Sequence, residues 1–129
     1  DRVMMPGVLR DPARYIRLFD IFALSSDSEQ YPIALLEAMT SALPVVSTDV
    51  GDVRTIVARE NRPFIVPRTE EASLAQAIRE LANDAGLREK LGTANRALAC
   101  ALYDEETMFA RYRQLYGSAM KRADFARQS

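Results

Sequence analysis

Two glutamates, Glu29 and Glu37, are the residues of this chain whose type and spacing suit binding chemistry. Seven residues separate them, and Pro32 lies between them in a mostly apolar segment. Carboxylates accept hydrogen bonds, and the hydroxyl groups of a sugar or a ribose donate them. The pair therefore suits a polyhydroxylated ligand, provided that the fold brings both side chains to one site.

The segments around the glutamates alternate between strand and helix patterns. Ile21 to Leu24 form a short continuous apolar run, which is typical of a buried parallel strand. A polar loop from Ser25 to Glu29 follows, and Pro32 fits the first turn of the next helix. Strands that alternate with helices indicate right-handed crossovers and a parallel sheet, so we expect an α/β fold.

The rest of the chain extends this pattern and then becomes helical. Further strands are predicted at Arg2–Met5, Pro44–Thr48 and Phe64–Val66. Short helices are predicted after Asp11-Pro12, with Asp11 as the N-cap, and at 53–58. Three trailing helices follow, with N-caps at Thr69 and Asp104 for the first and third and an interruption at Gly86.

This topology places the two glutamates at one edge of the sheet. Ligands of such folds bind beyond the carboxyl ends of the strands. Glu29 would lie in the loop at that edge, and Glu37 in the second turn of the helix that leaves it. The free backbone N–H groups of the first turn, 31–34, form an anion site suited to phosphate. Together these groups suit a nucleotide sugar. A structural interpretation is also open, because glutamate in the first turns of a helix complements the helix dipole.

Composition excludes several classes of function. The 129 residues, 48% hydrophobic and 27% charged, suit one compact domain. A net charge of −1 gives no electrostatic reason to expect nucleic acid. Histidine is absent, which removes Ser-His and Cys-His catalysis and histidine-ligated metals from this chain. Cys100, the single cysteine, lies in an apolar stretch, 97–102, and is expected to be buried.

A longer composite pattern is far more specific than the glutamate pair. From Asp20 to Gly51 the chain reads D-x-F-x-L-x-S-x-x-E-x-Y-P-I-x-L-L-E-A-M-x-x-x-L-P-V-V-x-T-D-V-G. This closely resembles the carboxyl-terminal domain of retaining glycosyltransferases of family 4, the GT-B group 1 transferases. The resemblance continues through 63–67, 87–92 and 112–116 and covers almost the whole chain. It implies a Rossmann-like parallel sheet with flanking and trailing helices.

The resemblance also implies roles for individual residues. The family carries two glutamates with seven residues between them, and Glu29 and Glu37 match that motif. Glu29 would face the hydroxyls of the donor sugar as the catalytic residue, and Glu37 would hold the ribose hydroxyls. The remaining donor-binding positions are the backbone along the sugar and diphosphate and the segment bordering the nucleobase: Gln30, Tyr31, Pro32, Ile33 and Ala34, and Gly7, Val8 and Leu9.

The implied reaction is hexosyl transfer from a nucleotide-diphosphate sugar, with retention of configuration. The acceptor would be a sugar, a lipid-linked sugar or another small molecule, with no metal or other cofactor. Some positions depart from the family pattern. Gln30 and Asp52 replace glycines, and Thr55, preceded by Arg54, replaces a glutamate, so the loop around the donor sugar differs from the usual one.

The resemblance also predicts what this chain lacks. The chain opens on Asp1 rather than methionine. We expect residues 1–129 to be part of the carboxyl-terminal donor domain, without the amino-terminal acceptor domain and without the basic pair that grips the diphosphate. The chain alone would then be inactive. No secretory signal pattern opens it, which favours a cytoplasmic setting.

Several alternatives stay open at this stage. One is a non-catalytic nucleotide-binding or interaction module. Another is a glycoside hydrolase, which needs both carboxyl groups on one sugar, about 5–10 Å apart. The basic tail (Lys121, Arg122 and Arg127) suits peripheral contact with the inner face of a membrane, or is simply solvated. The apolar face of the last helix (Met108, Tyr112 and Tyr116) offers self-association if it is exposed, but we expect most of it to pack on this domain.

Overall fold

A parallel sheet of three strands organises the chain. The computed structural model describes residues 3–103 and 105–120. The strands are β1 (Phe22–Leu24), β2 (Val45–Thr48) and β3 (Ile65–Val66), in the order β1-β2-β3. Both pairings are parallel, with Phe22 opposite Val45 and Ser47 opposite Ile65. The predicted α/β class with a parallel sheet is confirmed.

Helices flank this sheet and then trail from it. The α-helices are α1 (Ala13–Ile16), α2 (Ile33–Thr40), α3 (Val53–Ile56), α4 (Glu71–Asn83), α5 (Ala85–Leu102) and α6 (Glu105–Ala119). A 3₁₀ helix, Arg59–Phe64, leads into β3. No helix in the described ranges is long and apolar enough to cross a bilayer.

The core lies on both faces of the central strand, because successive side chains of a strand point to opposite sides. All four residues of β2 are buried. Val45 belongs to one apolar cluster with Leu35 and Met39 of α2, and Val46 belongs to a second with Leu81 of α4. Helix α5 contributes to both clusters and therefore helps to lock the two layers together.

Two buried amides fasten α5 to the start of β2. Asn61 pairs with the backbone of Val45 in both directions, at 2.9 and 2.6 Å. Asn95 of α5 donates to the carbonyl of Leu43 at 3.0 Å and to Asn61 Oδ1 at 2.8 Å. It also accepts from the backbone N–H of Ala58 at 3.1 Å. Each buried polar group is thereby satisfied, which fixes how α5 sits on the sheet.

The first predicted strand and the first predicted cap are wrong. Residues 3–5 form no strand, and their side chains are 77–89% exposed. Asp11 has a left-handed backbone (φ 57°), and Pro12 rather than Asp11 occupies the cap position. The Asp11 carboxylate pairs with Arg14 at 2.7 Å instead of capping the helix.

The later helix boundaries also differ from the prediction. The predicted cap Thr69 is wrong, because α4 begins at Glu71 and Glu70 occupies the cap position. Asp84, not Gly86, marks the break before α5, since its carboxylate accepts from Leu87 N at 2.8 Å. Helix α3 ends at Ile56 because the next residue is extended. The predicted cap at Asp104 and the basic tail, 121–129, lie outside the described residues.

Two predictions of burial are also wrong. Cys100 is exposed, because the buried face of α5 carries Leu91, Asn95 and Ala99, and Cys100 follows one position later. The face of α6 that was expected to pack is exposed as well: Met108 by 43%, Tyr112 by 51% and Tyr116 by 55%. The described part of the chain therefore leaves this helix with an apolar face in contact with water.

Candidate functional site

The two glutamates that the sequence singled out lie at the carboxyl edge of the sheet. Three loops meet there: the β1–α2 loop, 25–32; the β2–α3 loop, 49–52; and the β3–α4 loop, 67–70. Glu29 lies in the first of these loops and Glu37 in the second turn of α2, as predicted, and both side chains are half-buried. One carboxylate thus belongs to a loop and the other to a helix.

Glu29 is oriented by a hydrogen bond from its own loop. The Ser26 hydroxyl donates to Glu29 Oε1 at 2.7 Å. The Ser26 carbonyl in turn accepts from the Thr48 hydroxyl, also at 2.7 Å. Thr48 is buried at the end of the central strand, so the loop carrying Glu29 is tied to the buried centre of the sheet.

The β2–α3 loop packs directly against the backbone of the Glu29 loop. Gly51 has φ +51°, and a Cβ atom there would collide with the carbonyl oxygen of Glu29 and lie 2.7 Å from that of Gln30. The Asp52 N–H donates to the same Gln30 carbonyl at 3.3 Å. Glycine is therefore required at position 51 for both its backbone conformation and its missing side chain.

The start of α2 presents free backbone donors beside Glu29. Pro32 is buried and extended (ψ 109°), so it occupies the cap position rather than the first turn. Its carbonyl accepts the first helical hydrogen bond, from Leu35 at 3.1 Å. The N–H groups of Ile33 and Ala34 precede that bond and belong to exposed residues, so they can meet an anion.

Tyr31 lies immediately before the N-cap of α2. Its ring meets Tyr103 at the end of α5 edge-on, with 6.4 Å between centroids and 74° between planes. Partial burial raises the pKa of the Tyr31 phenol above its usual value, and the nearby Tyr103 and Asp52 raise it further. The phenol therefore stays neutral at physiological pH and can donate a hydrogen bond.

The environment of Glu37 differs from that of Glu29. The backbone carbonyl of Glu37 accepts from the Thr40 hydroxyl at 2.9 Å and from the Ser41 N–H at 3.1 Å. Its carboxylate accepts no hydrogen bond from residues 3–103 or 105–120. A half-buried carboxylate without a partner is available to hydroxyl donors from a ligand.

The predicted nucleobase segment is not fastened to this site. Gly7, Val8 and Leu9 lie in an exposed stretch before α1, and Val8 is 99% exposed. Within the described ranges, no hydrogen bond ties these residues to the β1–α2 loop. The two glutamates therefore lie on adjoining elements, the β1–α2 loop and α2, whereas the segment 7–9 lies in an exposed stretch before α1.

The sequence prediction missed three side chains that build the site. Ser26 and Thr48 orient Glu29, and Arg68 reaches from the third loop to donate to the carbonyl of Asp27 at 3.2 Å. A signal existed for Ser26 and Thr48, since both are fixed positions of the motif from Asp20 to Gly51, whereas Arg68 lies outside that motif.

Arg54, which precedes the departure from the family pattern at Thr55, makes contacts within the protein. It pairs with Asp49 at 2.6 Å and donates to the carbonyl of Ile65 at 2.6 Å. Its guanidinium therefore fastens the β2–α3 loop to β3. Among the described residues, no three Asp, Glu, Cys or His side chains come together as a metal site. The expectation that no metal is used stays a prediction.

An apolar groove adjoins the site. It has a volume of about 690 Å³ and lies between the start of α2, the end of α5 and α6. Tyrosines line much of it, with aliphatic side chains and one cation: Tyr31, Leu36, Tyr103, Met108, Arg111 and Tyr112. The exposed face of α6 forms one side of this groove.

The fold matches a carboxyl-terminal GT-B-like glycosyltransferase domain. A solved structure, sucrose-phosphate synthase from Thermosynechococcus elongatus, matches 83% of this chain with a TM-score of 0.72 and 28% identity. The match covers 28% of that protein. The sequence model of the family described as glycosyl transferases group 1 matches residues 1–84. The chain belongs to this family.

Several curated proteins resemble this chain, and their names differ in the sugar or acceptor. N-acetyl-alpha-D-glucosaminyl L-malate synthase of Bacillus anthracis is 22% identical over 94% of this chain and 32% of its own length. A D-inositol 3-phosphate glycosyltransferase of Xylanimonas cellulosilytica is 29% identical over 95% of this chain and 30% of its own length. The alpha-D-kanosaminyltransferase of Streptomyces kanamyceticus is 30% identical over 80% of this chain and 27% of its own length. The chain spans about a third or less of these relatives.

Proposed function

We propose that this chain is the donor-binding part of a glycosyltransferase. The polypeptide that carries it would transfer a hexosyl group from a nucleotide-diphosphate sugar to an acceptor, with retention of configuration. One observation carries the proposal. In a chain of the group 1 family, the half-buried Glu29 lies in the loop that leads into the free N–H groups of α2, at the carboxyl edge of a parallel sheet.

Each part of the site receives one portion of the donor. Glu29 accepts hydrogen bonds from the hydroxyls of the transferred sugar, and Glu37 accepts from the ribose hydroxyls. The backbone from Gln30 to Ala34 follows the sugar and the diphosphate, which the helix dipole stabilises. The segment 7–9 borders the nucleobase, as the family resemblance implies.

The atoms and electrons of the reaction balance between the donor and the acceptor, without a further co-reactant. The bond between C1 of the sugar and the diphosphate oxygen breaks, and its electron pair leaves with the diphosphate. The acceptor oxygen bonds to C1 on the same face, and its proton passes to the departing diphosphate. The start of α2 stabilises the charge that develops on the leaving group, and Glu29 holds the sugar in place.

A longer polypeptide completes the enzyme in this proposal. Transfer needs a second wall, because a cleft with one wall neither excludes water nor orients an acceptor. We assign that wall to an amino-terminal domain, and with it further cations for the diphosphate, since Arg54 is already paired with Asp49. The chain alone would then bind the donor weakly and transfer nothing.

The proposal also covers the acceptor and the cellular location of the reaction. The acceptor is a sugar, a lipid-linked sugar or another small molecule, and the enzyme works in the cytoplasm. A lipid-linked acceptor would bring it to the inner face of the membrane. The exposed apolar face of α6 contacts the rest of the enzyme or, in this chain alone, a second copy.

Donor binding by the natural full-length polypeptide tests the proposal. We expect one member of a panel of UDP-, GDP- and ADP-sugars to bind in calorimetric titration. Glu37→Gln should weaken that binding by about 10- to 100-fold, because hydrogen bonds to a charged acceptor contribute about 1.5–3 kcal/mol. Glu89→Gln, at an exposed position of α5, is the matched control and should leave binding unchanged. Unchanged affinity in Glu37→Gln would refute the assigned role of Glu37.

A further inference from the structure

A chain of two hydrogen bonds links the carboxylate of Glu29 to the central strand. Thr48 Oγ1 donates to the Ser26 carbonyl, and Ser26 Oγ donates to Glu29 Oε1, each at 2.7 Å. We propose that Ser26 is a positioning residue for the transfer reaction: it fixes the carboxylate of Glu29 in the orientation that the donor sugar requires. This inference rests on the function proposed above.

Thr48, where this pair of hydrogen bonds begins, is buried in the sheet. Thr48 ends β2, the central strand, and is 6% exposed. Its bond to Ser26 joins residues 22 positions apart, so it ties the loop to the sheet rather than to its own neighbours. Ser26 and Glu29 are both half-buried, so part of each is already shielded from water.

The hydroxyl of Ser26 does something that its backbone does not. The backbone carbonyl receives the bond from Thr48 and thereby fastens the loop. The side-chain hydroxyl touches only the carboxylate of Glu29 among the described donors and acceptors. Removing the hydroxyl therefore frees the Glu29 side chain without unfastening the loop. The two roles can be separated by substitution.

A fixed carboxylate serves transfer better than a mobile one. A glutamate side chain loses considerable rotamer freedom when it is ordered. The hydrogen bond from Ser26 orders Glu29 before the donor binds, so donor binding does not have to bear that entropic cost. The bond uses one lone pair of Oε1 and leaves the other carboxylate oxygen open for sugar hydroxyls. Reactions that depend on orientation lose rate when such a group moves by about 1 Å.

The backbone around the pair is held independently. The Glu29 and Gln30 carbonyls are in close contact with Gly51, and the Asp27 carbonyl accepts from Arg68 at 3.2 Å. These contacts keep the loop in place when the Ser26 hydroxyl is absent. A fall in transfer by Ser26→Ala would therefore report the orientation of the carboxylate.

Steady-state kinetics of the natural full-length polypeptide test the proposal. We expect Ser26→Ala to lower kcat about tenfold, with the donor KM changed by less than about threefold, since orientation acts on the chemical step. Ser26→Thr keeps the hydroxyl and should restore most of kcat. Ser28→Ala removes an exposed serine from the same loop and should match the wild type.

A double-mutant cycle separates positioning from a structural role. In a Glu29→Ala background, Ser26→Ala should lower kcat no further, because the group it positions is gone. An equal loss with and without Glu29 would overturn the proposal, and so would wild-type kcat in Ser26→Ala. Wild-type turnover in Glu29→Ala itself would instead refute the proposed function of the site, so the two failures are distinguishable.

Discussion

At the scale of single residues, the two glutamates of the motif have different surroundings. Ser26 holds Glu29 through a 2.7 Å hydrogen bond, whereas the carboxylate of Glu37 has no donor partner within the described ranges. A fixed carboxylate suits the reacting sugar, where orientation controls rate. An unpartnered one suits the ribose, where it needs only to accept hydrogen bonds.

The sequence predicted where these glutamates lie but not what holds them. Their positions follow from a strand, a polar loop and a proline-led helix, all of which are local patterns. The bond from Thr48 to Ser26 joins residues 22 positions apart, and no local pattern shows that they meet. The cap predicted at Asp11 was wrong for a different, local reason, since its carboxylate pairs with Arg14 three residues on and its backbone is left-handed.

Gly51 supplies a prediction at this scale. In Gly51→Ala the new Cβ would collide with the Glu29 carbonyl and strain a backbone with φ +51°. We expect a loss of stability above the roughly 1–2 kcal/mol of left-handed strain alone, together with a fall in transfer. Chemical denaturation and turnover of the full-length polypeptide measure the two effects.

Gly7→Ala is the matched control for stability. Gly7 also has a left-handed backbone (φ +73°), but no atom lies within 4 Å of the Cβ that alanine would add. The stability lost in Gly7→Ala therefore measures the strain of a left-handed backbone without a steric collision. Equal losses of stability in the two variants would contradict the close packing of the β2–α3 loop on Glu29.

At the scale of elements, the sequence predicted most of the strands and helices correctly but placed several of their first and last residues wrongly. The cores of β1, β2 and β3 follow from short apolar runs, and all three were predicted. The start of α5 differs from the prediction because of a side-chain cap. The Asp84 carboxylate accepts a hydrogen bond from the Leu87 N–H, so the break between α4 and α5 precedes Gly86. The burial of Cys100 was mispredicted because an apolar stretch does not reveal which face of a helix meets the core.

The buried amides of α5 give a prediction for this scale. Asn95→Ala would leave the N–H of Ala58 and the carbonyl of Leu43 buried without their partner. Each such group costs about 1–3 kcal/mol, so we expect at least about 2 kcal/mol of lost stability. Denaturant unfolding of the full-length polypeptide measures it.

Asn83→Ala makes the same chemical change at an exposed site. Among the described residues, Asn83 donates only to the carbonyl of Arg79, at 2.9 Å on the surface of α4. Its removal should cost less than about 0.5 kcal/mol. A loss in Asn95→Ala no larger than this would show that the amide pair does not secure α5.

At the scale of the whole molecule, the chain carries an exposed apolar surface on α6. It spans about a third or less of the curated relatives, and the face of α6 beside the groove is exposed. The sequence predicted that this face would pack, because helical spacing shows that a stripe is apolar but not what covers it. The proposed second domain gives this surface a partner.

Turnover of the natural full-length polypeptide with Glu29→Gln tests the central claim most directly. The substitution keeps the size and the Ser26 contact of the side chain but removes its charge. We predict an unchanged unfolding temperature and a fall in transfer of about 100-fold or more, the range for losing a group that stabilises the transition state. Glu89→Gln serves as the matched control. Wild-type turnover in Glu29→Gln would contradict the assignment of this site as the one where the sugar is transferred.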